Sequence, residues 1–128
     1  MLPGRNSTQG TGKAGEDLAV EFLESEGYTI LERNYHFEKA EVDIVAYDNQ
    51  RFIFVEVKTR TNHSFEESEE RLSPEQYKRV MKAGQAWMYE RKMEGAPVRF
   101  DVVTVLLKST QPDVRHYKNA ANDLQQFR

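Results

Sequence analysis

Two apolar stretches separated by a short polar turn constrain the fold of this chain more than any other feature. They occupy residues 41–47 and 51–58, and the turn lies at residues 48–50. Their length and spacing predict two antiparallel strands joined in a β-hairpin. Because each strand is largely apolar on both faces, we expect the hairpin to lie inside a sheet that is covered on both sides.

Three charged residues interrupt these apolar strands: Asp43 in the first, and Glu56 and Lys58 in the second. Charged side chains inside a sheet cost free energy unless they are paired or bind a ligand. A tight turn or a four-residue loop would place Asp43 opposite Glu56 and Glu41 opposite Lys58, all on one face. A three-residue loop would separate Asp43 from Glu56, so the site depends on the register.

The same register assigns the apolar side chains to two faces. The face of Asp43 continues as Val45 with Phe54 and Tyr47 with Phe52, whereas the other face holds Val42, Ile44, Ala46, Ile53, Val55 and Val57. We expect this second face to be continuous hydrophobic core.

Two carboxylates and a lysine on one face predict a metal site. Directly opposed like charges destabilise a sheet by up to roughly 1 kcal/mol, and a divalent cation removes this conflict. Mg²⁺ is usually held by one or two carboxylates, with waters and substrate phosphate oxygens completing its ligands. The alternative, which the pattern leaves open, is a structural ion network of Glu41, Asp43, Glu56 and Lys58 at a sheet edge.

Length and composition indicate one domain without disulfides. The chain has 128 residues, a formal net charge of −3 and no cysteine. We expect residues 1–12 to form a flexible lead and residues 13–128 a single domain. No apolar run suits a membrane span or a signal peptide, so we expect a cytoplasmic protein that does not contact membranes. The acidic net charge argues against coating nucleic acid through bulk charge, although a local basic patch would suffice.

The rest of the pattern predicts helices and strands around the hairpin. A helix is expected over Lys13–Glu26, ending at Gly27. A second helix should begin at Ser73, where Ser-Pro-Glu-Gln is typical of a capped start, and run to about Glu94. Further strands are expected at residues 28–34, 98–107 and 114–117, polar segments at 36–40 and 59–72, and a helical turn from 120 onward. This order predicts an α/β fold with a mixed sheet flanked by helices.

Some tempting residues lack the pattern of a functional site. His36, His63 and His116 have no metal-ligand spacing, and Trp87 lies on the apolar stripe of its helix. We expect all four to be structural or solvated.

Four blocks of the sequence resemble the YraN-like family of uncharacterised bacterial proteins. The blocks are Gly15-Glu16 with the helix that follows, Gly27-Tyr28 through Arg33-Asn34, Glu-Val-Asp-Ile-Val with Phe-Val-Glu-Val-Lys-Thr-Arg in the hairpin, and Arg99-Phe100-Asp101-Val102-Val103. That family is grouped with the restriction-endonuclease-like (PD-(D/E)xK) nucleases, which include archaeal Holliday junction resolvases. The resemblance therefore implies a restriction-endonuclease-like fold and a metal-dependent endonuclease acting on DNA.

The resemblance also implies roles for individual residues. Asp43 and Glu56 would bind Mg²⁺ (or Mn²⁺), and Glu16 from the first helix would complete the acidic shell. Lys58 would orient or deprotonate the attacking water, or stabilise charge on the phosphate.

The residues expected to contact nucleic acid match the family pattern less closely than the expected metal ligands do. The chain has Ala40 where the family usually has glycine, and Gln76 where a basic residue is frequent. Lys78 and Arg79 lie near Gln76, and together with Arg60 they are the candidate nucleic-acid contacts.

Three functions compete at this point. The first is a nuclease acting on DNA, with branched repair or recombination intermediates as a special case that would suit a homodimer. The second is a non-catalytic nucleic-acid-binding module on a nuclease fold, and the third is a protein-interaction factor that uses the apolar hairpin. The carboxylate pair with its lysine favours the enzyme, whereas the acidic net charge favours the other two.

Overall fold

A five-stranded mixed sheet with one helix on each face forms the core of the protein, as seen in a computed structural model that describes residues 7–61, 73–108 and 110–121. The elements are α1 (Ser7–Ser25), β1 (Thr29–Phe37), β2 (Ala40–Tyr47), β3 (Phe52–Arg60), α2 (Pro74–Glu90), β4 (Val98–Leu106) and β5 (Asp113–Tyr117). The strands lie side by side in chain order, with β3 and β4 parallel and the other neighbours antiparallel. The predicted α/β fold with a mixed sheet flanked by helices is confirmed.

Helix α1 begins at Ser7 rather than at the predicted Lys13. Elongation adds one hydrogen bond per residue once a segment is helical, so weak helix formers can extend a packed helix. The helix ends at Ser25, one residue before the predicted Glu26, and the predicted stop residue Gly27 follows it with a φ of 95°. The Tyr28 N–H donates to the Leu23 carbonyl at 3.0 Å, which is the bond typical of a Schellman motif.

Strand β1 continues to Phe37, so the polar connection predicted for residues 36–40 is wrong. The turn to β2 consists of Glu38 and Lys39 only, and Glu38 has a φ of 57°. The strand extends this far because Tyr35 and Phe37 pack against the core on the α2 side of the sheet.

The β2–β3 hairpin has the predicted register over its four pairs, from Tyr47–Phe52 to Ile44–Val55, but the predicted pairs Asp43–Glu56 and Glu41–Lys58 do not form. Val45 lies opposite Phe54, and the loop between the strands comprises four residues. Asp48 closes that loop, because its N–H donates to the Arg51 carbonyl at 3.2 Å and its Oδ1 accepts from the Arg51 N–H at 2.9 Å.

Two apolar clusters cover the two faces of the sheet. The cluster on the α2 side includes Val45, Phe54, Val80, Ala83, Trp87, Met88 and Phe100, and that on the α1 side includes Ala19, Leu23, Ile44, Ala46, Ile53, Val55 and Val103. The predicted faces are confirmed except for Val42, which packs in the α2 cluster. Val42 lies beyond the last β2–β3 pair, where β3 no longer fixes the orientation of β2. Trp87 is core, as predicted, and its Nε1 donates to Glu32 Oε1 at 2.9 Å.

Helix α2 has the predicted start and an earlier end. Ser73 forms a capping box, but the helix ends at Glu90 instead of Glu94. Met88 is the last buried residue, and the Met93 N–H returns to its carbonyl at 2.9 Å. Without further core contacts to follow, the backbone closes in a Schellman-type turn.

Strand β3 is longer than predicted, and parts of two other predicted segments lie outside the described residues. Thr59 and Arg60 belong to β3 and not to the predicted polar segment, because both still pair with β4. The rest of that segment within residues 62–72, including His63, lies outside the described residues, as do residues 122–128 of the predicted helical tail. No helix in the described part of the chain is long and apolar enough to cross a membrane.

Candidate active site

The candidate site forms where β2 and β3 part. The paired residues end at Ile44 and Val55. Beyond this point the Val57 N–H donates to Asp43 Oδ2 at 2.7 Å, so a side-chain carboxylate takes the place of a backbone acceptor. Asp43 and Glu56 are therefore not a ladder pair, as the predicted register required, but they remain neighbours at the fork between the strands.

The charges of Asp43 and Glu56 repel each other in a partly buried environment. Burial, and then the charge of Glu56, raise the pKa of Asp43 to about 7, although the hydrogen bond from Val57 opposes this shift. Burial also raises the pKa of Glu56, while the charges of Lys58 and Arg79 lower it. Two desolvated carboxylates with raised pKa values are typical of functional sites, and a cation would relieve both effects.

Lys58 provides a buried positive charge beside this pair. Its side chain is only 7% exposed, which is rare for lysine in a folded protein. The residue lies on β3 opposite Thr104 of β4, and its charge acts on Glu56. The predicted association of Lys58 with Glu56 therefore has a physical basis, and a buried ammonium can stabilise negative charge on a ligand.

Helix α1 brings Glu16 to the same place. Glu16 is 9% exposed, and its charge adds to the burial and the Glu56 charge that raise the pKa of Asp43. Its Oε1 accepts from Asn34 Nδ2 at 3.0 Å and lies 3.3 Å from Arg33 Nη2. Its Oε2 is buried and has no hydrogen-bond partner among the described residues. A buried oxygen without a donor fits a site that receives a cation.

The approach of α1 depends on Gly15. A Cβ atom at this position would lie 2.7 Å from Thr59 Cγ2 and would collide with Thr59 Oγ1. The helix therefore meets β3 at a separation that only glycine allows, one residue before Glu16. The sequence identified Gly15-Glu16 as a block but could not predict the contact with Thr59.

These donors fit a hard divalent cation. Carboxylate oxygens are the ligands that Mg²⁺ and Mn²⁺ prefer, and Asp43, Glu56 and the unpartnered Glu16 oxygen supply them. Within the described residues, no three aspartate, glutamate or histidine side chains form a ready-made metal-binding group. Mg²⁺ sites built on one or two carboxylates complete their ligands with waters or substrate oxygens, so Asp43 and Glu56 are residues that could hold such an ion.

The predicted nucleic-acid contacts lie on two elements that flank the site. Arg60 is the last residue of β3, and its Nη1 donates to the Thr59 carbonyl at 3.0 Å. Lys78 and Arg79 are exposed on the first half of α2. Of the two, Arg79 is the residue whose charge acts on Glu56, which places it nearer to the carboxylates.

Asn34 belongs to the candidate site, although the sequence pattern did not predict this. It appeared only as part of a family block, whereas in the structure its amide holds Glu16. The available signal was its residue type, because asparagine tolerates the positive φ that this position adopts.

A second polar cluster, at the other end of β4, is structural. Asp101 is fully buried and accepts from Arg99 Nε and Nη2 at 2.8 Å and from the Asn119 N–H at 3.0 Å, and it lies 2.7 Å from His116 Nε2. Burial alone would raise the pKa of Asp101, but the hydrogen bonds from His116, Arg99 and Asn119 hold it below its ordinary value. His116 thus has the structural role expected of it.

Comparison with known proteins establishes the family. The model of the uncharacterised protein family UPF0102 matches residues 15–105, a range that includes Glu16, Asp43, Glu56 and Lys58. A UPF0102 protein of Geotalea daltonii is 37% identical over 118 residues, which cover 91% of this chain and 93% of the relative. A UPF0102 protein of Dictyoglomus turgidum is 41% identical over 96 residues, covering 75% and 81%. One of Bacteroides thetaiotaomicron is 40% identical over 109 residues, covering 85% and 89%. The chain therefore belongs to the uncharacterised protein family UPF0102, the YraN-like family that its motifs resemble.

Proposed function

We propose that this protein is a metal-dependent nuclease that hydrolyses phosphodiester bonds in DNA. The observation that carries the proposal is the partly buried pair of Asp43 and Glu56 beside the buried Lys58. In a structural ion network the partners would lower the pKa of each carboxylate. Here burial raises both pKa values despite the charges of Lys58 and Arg79 near Glu56, and a bound cation would offset this cost.

The carboxylates of the candidate site are the proposed metal ligands. Asp43 and Glu56 would hold Mg²⁺ or Mn²⁺, with Glu16 adding negative charge at the same place. The ion supplies charge stabilisation at the phosphate and makes water a better nucleophile at neutral pH. Asp43 is oriented through Oδ2, which accepts a hydrogen bond from the Val57 N–H at 2.7 Å.

Lys58 would act on the reacting phosphate. Its buried ammonium would stabilise the charge that develops when a water oxygen adds to phosphorus and would orient that water, whereas only the neutral amine form of Lys58 would accept the proton of the water. The bond from phosphorus to the leaving oxygen then breaks, and the leaving oxygen is protonated. Because Lys58 is buried, its charge is screened less by solvent than that of a surface lysine.

Contacts with the nucleic acid would come from a local basic surface formed by Arg60, Lys78 and Arg79. The net charge of −3 leaves little room for binding through bulk charge. DNA as the substrate rests on the family resemblance, as do a preference for branched DNA and action as a homodimer.

Cleavage of a labelled nucleic-acid panel tests the proposal. The panel comprises linear duplex, single-stranded, flap and four-way junction DNA together with RNA, each with Mg²⁺, Mn²⁺ or EDTA. The parent is compared with Lys58→Ala and Asp43→Asn, and with Lys118→Ala as a matched control for the loss of a lysine. Lys118 is exposed and follows β5 at the far end of the sheet.

We expect metal-dependent products from the parent and from Lys118→Ala, with about a hundredfold loss or more in the two site variants. No cleavage by the parent, or equal cleavage by the site variants, would contradict the proposal. In that case, salt-sensitive binding of the same panel would favour the non-catalytic binding module. The absence of such binding would favour the protein-interaction factor.

A further inference from the structure

Asn34 has an unusual backbone conformation for its place in the sheet. It lies in β1, an outer strand, yet its φ is 53°. Residues other than glycine rarely adopt this left-handed conformation, and asparagine is among those that tolerate it best. The strand continues on both sides of Asn34 in the same register, with Arg33 opposite Ile44 and Tyr35 opposite Val42.

The side chain of the same residue contacts helix α1. The Asn34 side-chain amide donates from Nδ2 to Glu16 Oε1 at 3.0 Å. The preceding residue, Arg33, approaches the same oxygen with Nη2 at 3.3 Å and also donates to Asp17 Oδ1 at 2.6 Å. Two successive residues of β1 therefore hold a single carboxylate oxygen of α1.

The other carboxylate oxygen of Glu16, Oε2, is not held by Asn34 or Arg33. Oε2 is buried and has no hydrogen-bond partner among the described residues, although Asn34 and Arg33 both reach Oε1. If these residues served only to fasten α1 to the sheet, the carboxylate would gain more from sharing its donors between both oxygens. The observed division fixes the carboxylate through one oxygen and leaves the second for another ligand.

We infer that Asn34 is a positioning residue that, with Arg33, orients Glu16 so that Oε2 serves the cation of the candidate site. This inference rests on the proposed metal site. It adds a positioning residue on β1, whereas Asp43 lies on β2 and Glu56 on β3. Residues that orient metal-binding side chains through hydrogen bonds typically change metal affinity by about 10–100-fold when they are replaced.

Titration of the metal-free protein with Mn²⁺, followed calorimetrically, tests the inference without relying on activity. Asn34→Gly keeps the freedom to adopt a positive φ but removes the donor. Asn34→Asp keeps the shape of the side chain but presents a second carboxylate to Glu16. Asn49→Gly is the matched control, because Asn49 also has a positive φ, 76°, but is exposed in the hairpin loop.

We expect both Asn34 variants to bind Mn²⁺ about tenfold more weakly than the parent, and Asn49→Gly to bind like the parent. The role through Glu16 is isolated by repeating the comparison in Glu16→Gln. There, Asn34→Gly should cause little further loss, because the carboxylate that it positions is already gone. If Asn34→Gly does not fold, the Mn²⁺ affinity of Asn34→Asp is compared with and without Glu16→Gln instead.

Three outcomes would overturn the inference. If the Asn34 variants bind Mn²⁺ as tightly as the parent while Asp43→Asn does not bind it, the inference is wrong and the proposed metal site stands. If Asn34→Gly weakens binding equally with and without the Glu16 carboxylate, its effect is general and not positional. If the parent binds no Mn²⁺, both the inference and the proposed function fail.

Discussion

Gly15 of α1 lies against Thr59 of β3 at a separation that leaves no room for a Cβ atom. Gly15→Ala should therefore push the helix away from the strand and carry Glu16 out of the site. We expect a loss of roughly 1–3 kcal/mol in the free energy of unfolding, as for other overpacked contacts, together with weaker Mn²⁺ binding. Urea denaturation and calorimetric titration measure the two effects.

Gly12→Ala is the control for this substitution. Gly12 belongs to the same helix, and a Cβ there would meet nothing within 4 Å. Alanine is the better helix former by roughly 0.5–1 kcal/mol, so this variant should be stabilised. If both alanine variants gain stability, the close contact with Thr59 is not restrictive.

Asp43→Asn should stabilise the metal-free protein at alkaline pH. The pKa of Asp43 is about 7 in the folded protein, against an ordinary value of 3.8 for aspartate. Between these values the folded state binds more protons than the unfolded state, so stability falls as pH rises through the interval. Above about pH 8 in EDTA, asparagine should remove a cost of at most about 4 kcal/mol, and less because solvent partly screens the site.

The sign of this effect separates it from ordinary mutational damage. In acid below the ordinary pKa of aspartate, the parent and Asp43→Asn should have similar stabilities because Asp43 is then protonated in both states. Urea denaturation over a pH series measures the difference. Glu24→Gln, at an exposed position of α1, should show no such trend. A variant that is less stable than the parent at alkaline pH would contradict the assigned pKa.

How much of this site could be predicted depends on the range of the interactions. The hairpin register followed from local rules, because loop length and alternation fix which residues face each other, as in the pair Val45–Phe54. The capping box at Ser73 is likewise a property of four consecutive residues. Local rules therefore predict that Asp43, Glu56 and Lys58 lie near one another, although the ladder ends before their positions.

The sequence could not predict the detailed geometry of the site. That geometry depends on which groups, distant from one another in the chain, form hydrogen bonds. The β2–β3 ladder ends where the Asp43 carboxylate, rather than a backbone carbonyl, accepts the Val57 N–H. This exchange also explains why Val42 packs on the side opposite to the prediction. The side chain of Asn34 likewise bonds to Glu16 in α1, a partner 18 residues away in the chain.

Arg79→Ala should weaken DNA binding and lower its salt dependence. Arg79 is exposed on α2, and its charge reaches Glu56, so the side chain is placed to neutralise a phosphate near the site. Loss of one phosphate contact reduces the slope of log affinity against log salt by about 0.9 for duplex DNA. A salt titration of binding measures the slope, with Lys118→Ala as the control. An unchanged slope would remove Arg79 from the binding surface.

Asp101→Asn should destabilise the protein without changing the Mn²⁺ affinity of the folded state. The substitution leaves the partly buried Arg99 without its bidentate partner, which costs about 3–5 kcal/mol in comparable buried pairs. Because the folded pKa of Asp101 lies below the ordinary value, its contribution is present at neutral pH and is lost as pH falls through that lowered pKa.

Denaturation at neutral and acidic pH tests this prediction, and calorimetry tests the metal affinity. His116→Gln should cost less, since it leaves both hydrogen bonds from Arg99 in place. Loss of Mn²⁺ binding in folded Asp101→Asn would mean that the two ends of β4 are coupled.

The left-handed residue in β1 has a consequence for the solution behaviour of the protein. β1 forms one edge of the sheet, and exposed edges are where sheets of different molecules join and aggregate. Asn34 turns the backbone away from the extended conformation, and the register shifts between Ile30 and Glu32. Such an edge is a poor template for another strand, so the conformation that orients Glu16 also discourages intermolecular sheet growth.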